Sequence, residues 1–171
     1  MKISFDLDGT LICYDPVVPR DKHPVPWILR LWFREPLRRG AVDLLRRLQS
    51  LGHEVVIYTT SHRSPISVRW WLRCYGIRIG QVINQHMHER EVSRLSLPRS
   101  PTKFPSLFHI DLHVDDLPGV AVEGEEHGFD VLVIDPHDED WTSRVLETVA
   151  DRTSVSEEAG LDEITRSKLP A

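Results

Sequence analysis

The chain has 171 residues, 40% of them hydrophobic and 27% charged, a balance that suits one globular domain with a sizeable core. It holds no apolar stretch of bilayer length, and Asp6 and Asp8 interrupt the N-terminus where a secretory leader needs an apolar run, so membrane and secretory classes are not expected. The net charge of −5 hides an asymmetry: residues 1–110 hold 17 Lys/Arg against 9 Asp/Glu, residues 111–171 hold 4 against 17, and the two halves are expected to neutralise each other on the folded surface.

In chain order, residues 2–6 read as a short strand that ends at the Asp8-Gly9 turn signal. Residues 12–37 hold five prolines and an aromatic stretch from Trp27 to Phe33, and read as a short flap or insert, with the aromatic stretch as core cover in preference to a contact surface. From Arg38 to Leu51 the spacing of Ala41, Leu44, Leu45, Leu48 and Leu51 predicts a helix capped by Gly52. Glu54 to Tyr58 is a strand buried on both faces. Ser64 and Pro65 then open a helix running to about Tyr75, in which Trp70 and Trp71 are both expected in the core.

Residues 81–84 predict a short strand, and a helical turn is expected around Glu89 to Leu95. His109 to Val114 reads as a strand ending at Asp115 and Asp116. A helix from about Val120 to His127, a buried strand at residues 131–134 and a helix from Trp141 to Ala150 follow, with Asp138 or Asp140 near the start of that last helix. Residues 151–171 are polar and poor in large apolar side chains, and are read as a flexible tail apart from a 1–150 core. Strands alternating with helices predict an α/β fold, a three-layer Rossmann-like parallel sheet with helices on both faces and little or no cap.

Three polar clusters fall at C-terminal ends of predicted strands: Asp6 with Asp8, Thr59 with Thr60, and Asp115 with Asp116. In open α/β sheets that edge binds ligands, so distant segments converge on one mouth. Asp6, Asp8 and Asp116 cannot gather there as bare anions without raising one another's pKa, which a divalent cation would prevent. Oxygen donors without His or Cys favour magnesium, Mg2+. A phosphate would need positive donors as well, and Lys103, with backbone N–H groups near Thr59 and Thr60, is the candidate. Arg94 and Arg99 are the alternatives to Lys103. The nine histidines, His86, His88, His109 and His113 among them, are expected at the surface.

In order along the chain, Asp6-Leu7-Asp8-Gly9-Thr10-Leu11, Val56-Ile57-Tyr58-Thr59-Thr60-Ser61, Lys103 before Phe104-Pro105, and His113-Val114-Asp115-Asp116 resemble the four motifs of the haloacid dehalogenase (HAD) superfamily. The resemblance covers about residues 1–150. It implies a phosphatase, a phosphoric monoester hydrolase, in which Asp6 forms an aspartyl-phosphate. Asp8 would protonate the leaving oxygen and then activate water. It implies Mg2+ held by the Asp6 carboxylate, the Asp8 backbone carbonyl and Asp116, with Asp115 behind them. Thr59, Thr60 and Lys103 would bind the phosphoryl group; Thr59 and Thr60 both fit the second motif, and the strand-end position favours Thr59.

The short inserts imply a minimally capped enzyme. The reading is thus a cytoplasmic hydrolase acting on a phosphorylated substrate that the sequence does not identify, with no membrane partner. Nucleic acid is the less favoured partner, and the oligomeric state is open. The two cysteines, Cys13 and Cys74, have no metal-ligand spacing and fit a reducing compartment. The alternatives are a phosphotransferase, or a catalytically idle phosphate- or partner-binding protein on the same fold.

Overall fold

Alternation of apolar strands with amphipathic helices produces the expected architecture in a computed structural model of the chain. It describes residues 1–22, 35–95, 97 and 99–167, with side chains through residue 155. In chain order come β1 (Lys2–Phe5), α1 (Ala41–Ser50), β2 (Glu54–Tyr58), α2 (Pro65–Cys74), β3 (Val82–Ile83), α3 (Gln85–Val92), a 3-10 turn (Pro105–Phe108), β4 (Leu112–Asp115), α4 (Pro118–His127), β5 (Val131–Val133) and α5 (Trp141–Ser167). Every strand pairing is parallel, in the order β3-β2-β1-β4-β5. The chain thus builds outward from β1 in one direction, then returns to its other side. The switch in direction lies between β1 and β4, where a doubly wound sheet opens a crevice.

The period of two along the strands divides the core. Ile3, Phe5, Val55, Ile57, Leu112 and Val114 face one side, where they pack with Leu44 and Leu45 of α1, Val68 and Trp71 of α2, and Trp141 and Val145 of α5. Val56 and Tyr58 face the other side, with Phe108 of the 3-10 turn and Met87 of α3. On that second side the alternate positions of β1 and β4 are Ser4, His113 and Asp115, all fully or almost fully buried. A polar row therefore runs up an otherwise apolar sheet toward the mouth.

Local signals place most boundaries. Gly52, at φ 83°, follows α1, and Gly128, at φ 71°, caps α4 in the left-handed region that favours glycine. Ser64 and Pro65 open α2. The Asn84 side chain accepts a hydrogen bond from the Met87 N–H, so α3 begins at Gln85, ahead of the turn expected at Glu89. The strand expected from His109 starts only at Leu112, because Pro105 opens a 3-10 turn that closes on His109 in the left-handed conformation.

The tail differs most from expectation. Instead of stopping at Ala150, α5 continues to Ser167. Trp141, Val145 and Val149 anchor its first turns in the core, and Arg152 pairs with Asp130. Residues 151–167 contain no proline, and their three Glu and two Arg are good helix formers, so a helix started on the core can propagate through them. The whole aromatic stretch Trp27–Phe33, with the rest of residues 23–34, lies outside the described residues, as do residues 168–171. The base of the 12–37 insert is tied by an antiparallel bridge between Arg20 and Arg38.

Candidate active site

Asp6 leaves β1 at the centre of the sheet edge, its N–H bonded to the Val114 carbonyl of β4 at 2.9 Å. The chain then turns sharply through Gly9, at φ 95°. A Cβ there would lie 2.2 Å from Asp116 Oδ2, so glycine is required both by the backbone conformation and by the approach of Asp116.

Lys103 comes from the loop before the 3-10 turn and is almost fully buried. Its ammonium donates to Asp6 Oδ1 at 2.7 Å and to the Tyr58 carbonyl at 2.7 Å, and stands 3.3 Å from Asp115 Oδ2. Burial raises the Asp6 pKa to about 6 even against the pull of Lys103. Burial also disfavours the Asp115 anion, but the hydrogen bond from His113 and the charge of Lys103 outweigh it and hold Asp115 at about 2.

His113 extends this network down the sheet. Its Nε2 lies 2.9 Å from Asp115 Oδ2 and its Nδ1 2.7 Å from Ser4 Oγ, on the strand pair that sets Ser4 opposite His113. Since an ionised Asp115 only accepts, Nε2 carries the proton and Nδ1 accepts from the Ser4 hydroxyl. Burial and the nearby ammonium push the His113 pKa down to about 4, so the ring is neutral at pH 7. Both His113 and His88 are buried, which corrects the surface placement expected for them. His88 bridges the Tyr58 hydroxyl and the Pro101 carbonyl, which holds the Lys103 loop against the sheet.

Asp8 stands in a different environment, half-buried and ringed by donors. Arg63 Nη1 donates to Asp8 Oδ2 at 2.6 Å, and the Tyr14 hydroxyl to Asp8 Oδ1 at 2.5 Å. Arg63 Nη2 reaches Glu35 at 3.0 Å and the Tyr14 oxygen at 2.9 Å. Tyr14 and Glu35 belong to the two ends of the 12–37 insert, so one guanidinium ties both to Asp8.

The two threonines separate. The Thr59 hydroxyl is buried and accepts from the Ser61 N–H at 3.1 Å, while Thr60 is exposed and lines the same cavity as Asp6, Asp8, Lys103 and Asp115. That cavity measures about 980 Å³ and continues over α3. Asp116 is half-buried, accepts from the Thr10 hydroxyl at 3.2 Å, and has no cation within 4 Å among the described residues. Its pKa is raised by burial and by Asp115. Arg94 pairs with Glu91 at the surface and takes no part.

The structure thus brings together Asp6, Asp8, Thr60, Lys103 and Asp115, with Asp116 against the same turn. Sequence reasoning missed Arg63, Tyr14, Glu35, Ser4 and His113. For Ser4 and His113 a signal existed: polar residues at alternate positions of short buried strands need partners. Arg63 and Glu35 carry none.

The donors suit a small hard cation. Among the described residues no three His, Cys, Asp or Glu side chains gather to hold a metal unaided. The set implied by the motifs asks for only two carboxylates and one main-chain oxygen. Lys103 engages Oδ1 of Asp6, and Asp116 is a half-buried carboxyl with no cation within 4 Å among the described residues, so these oxygens fit Mg2+.

No protein-family model matches the sequence, and neither does any curated protein. Among solved structures, a chain of the Pnkp1/Rnl/Hen1 complex is similar at 15% identity and a TM-score of 0.50, over 80% of this chain and 47% of that one. A chain of the Pnkp1/Rnl/Hen1 RNA repair complex gives 15% and 0.48, over 78% and 42%. A predicted HAD-like family hydrolase from Porphyromonas gingivalis gives 13% and 0.49, over 86% and 97%. The chain therefore spans less than half the length of the first two. The first likeness is one of fold.

Proposed function

We propose that this chain is a phosphomonoester hydrolase that works through an aspartyl-phosphate on Asp6. The observation that carries the reading is the buried Lys103 ammonium, 2.7 Å from Asp6 Oδ1 and open to the same cavity. A lysine so deeply buried costs several kcal/mol to desolvate unless it serves anions. It answers Asp6 and Asp115, and it faces the space where a phosphoryl group would sit.

The free oxygen of Asp6 attacks phosphorus in line with the ester oxygen, and the P–O bond to the leaving group breaks as the new P–O bond forms. The leaving oxygen takes a proton from Asp8, which must first loosen one of its contacts with Arg63 or Tyr14. A water molecule then attacks the same phosphorus, gives its proton to Asp8, and frees Asp6 and inorganic phosphate. Thr60 donates to phosphoryl oxygens, and Lys103 neutralises charge on Asp6 and on the transferred group. Mg2+, held by the Asp6 carboxylate, the Asp8 carbonyl and Asp116, would supply the further positive charge that a phosphate dianion requires here.

The test is a screen of phosphate release from a broad set of phosphomonoesters with magnesium, run beside Asp6→Asn. Turnover by the natural chain and none by the variant supports the reading. Equal turnover by a folded Asp6→Asn protein refutes the aspartyl route, and silence across the whole set favours the idle binding protein.

A further inference from the structure

The two tryptophans of α2 have opposite fates. Trp71 is buried, with its indole N–H on the Glu35 carbonyl, whereas Trp70 is 60% exposed. Trp70 shares the outer face of α2 with Ile66, Arg69 and Arg73, at the spacing of successive helical turns. Ile66 is exposed as well. Helix α2 carries no acidic residue at all. At its far end Arg69, Trp70, Arg73 and Arg78 border a recess of about 400 Å³ to which the buried Ile77 and Ile79 contribute. Among the described residues none of these three guanidiniums has a carboxylate within 4 Å.

We infer that this recess is a docking site for single-stranded nucleic acid. An exposed indole beside three guanidiniums that have no carboxylate near them among the described residues departs from an ordinary surface, where acidic and basic side chains alternate. Both features are used by one ligand chemistry. A base stacks on the indole, and the phosphates on either side of it meet the guanidiniums, which also pair with anions in a planar fork. A duplex hides its base faces. An acidic peptide would satisfy the charges and leave the indole and the apolar recess uncovered.

The site is separate from the Asp6 cavity: the two share no lining residue. Helix α2 starts beside the mouth and runs away from it for ten residues, about 15 Å at the usual rise. Docking here does not depend on the hydrolase reading.

The experiment is fluorescence anisotropy of a labelled unstructured oligonucleotide of about ten nucleotides, within the usual range of single-strand site sizes, titrated with the full chain over a series of salt concentrations. Binding should weaken with salt at a slope near −2 in log K against log salt, from about 0.7 per phosphate contact and three arginines. Trp70→Ala should weaken it roughly tenfold or more, with Trp70→Phe retaining most of the affinity. Arg69→Ala and Arg73→Ala should each flatten the slope by about 0.7. Asp6→Asn should bind like the natural chain. These side chains are exposed, so the variants should keep the natural melting temperature. The inference fails if the oligonucleotide does not bind at low salt, if Trp70→Ala binds unchanged, or if a duplex binds as well. It also fails if a polyglutamate peptide competes at equal charge concentration, which would make the face a site for acidic proteins.

Discussion

Asp6 and Asp8 stand two residues apart on one turn, yet their surroundings have little in common. Asp6 belongs to a sealed side made by the sheet, where Lys103, Asp115, His113 and Ser4 are all buried and joined from β1 to β4. Asp8 belongs to an open side, where Arg63 at 31% side-chain exposure bridges it to Glu35 and Tyr14 of the insert. The difference suits the tasks proposed for them. A nucleophile gains from fixed geometry and low dielectric, while a group that carries protons both ways needs partners that can let go.

The largest effect should come from breaking the sealed side. Lys103→Met leaves Asp6 and Asp115 buried without their cation. It should lower unfolding free energy by roughly 3–5 kcal/mol in urea titration and reduce phosphate release by about a thousandfold or more. Loss of activity at unchanged stability would show that the network is not what holds the mouth together.

The proposed metal sharpens the contrast, since Asp116 touches the turn from outside the sealed network. Chelation of divalent cations should abolish turnover and magnesium should restore it. Asp116→Asn should need at least tenfold more magnesium for half-maximal rate, while keeping the natural unfolding free energy in urea to within about 1 kcal/mol.

A third test separates the sealed side's own members by pH. The Asp6 pKa is raised to about 6 by burial, so the stability it lends is present at low pH and is lost as pH climbs from about 4 through 6. The His113 pKa is lowered to about 4, so the folded chain resists the proton that the unfolded chain takes up. Its stabilising effect is complete above pH 6.5 and is lost as pH falls toward 4. The two slopes oppose each other, and the metal-free natural chain should be nearly flat between pH 4 and 6. In Asp6→Asn the opposing Asp6 slope is removed, and the His113 contribution should lower stability by on the order of 2–3 kcal/mol from pH 6.5 to 4. A flat profile in that variant would contradict the neutral, buried His113.

The smallest effect on stability belongs to the open side. Arg63→Gln breaks half-exposed ion pairs and should cost less than about 1 kcal/mol. Its kinetic effect should nevertheless be selective: roughly tenfold or more on an alkyl phosphate, whose leaving oxygen needs a proton, and little on p-nitrophenyl phosphate, whose leaving oxygen does not. Equal losses on both substrates would place Arg63 in phosphate binding rather than in positioning Asp8.

The sheet was legible because buried parallel strands show as short apolar runs such as Val55-Val56-Ile57-Tyr58, and because Ser64-Pro65 and Gly128 mark helix ends through local chemistry. Asp6, Asp8, Lys103 and Asp115 were legible as a group because each follows or precedes such an element. What escaped depends on register and on distant chain. Ser4 meets His113 only because β1 lies beside β4 in one particular alignment. Arg63 finds Glu35 across 28 residues, with nothing in either segment to announce it. Trp70 was misplaced for a simpler reason. The buried face of α2 is Val68, Trp71 and Leu72, continued by Tyr75, and one residue's rotation carries Trp70 out of it. For α5, the boundary lies beyond Ala150 because a helix already anchored by Trp141, Val145 and Val149 can extend along the chain.

The central claim is that Asp6 carries the phosphoryl group between two steps. Acid quenching during turnover with magnesium, followed by mass spectrometry of the peptide that contains Asp6, tests it most directly. The account predicts a phosphoryl adduct on Asp6 that hydroxylamine removes and that is absent from Asp6→Asn. Steady turnover with no adduct on Asp6, or with an adduct on another residue, would contradict it.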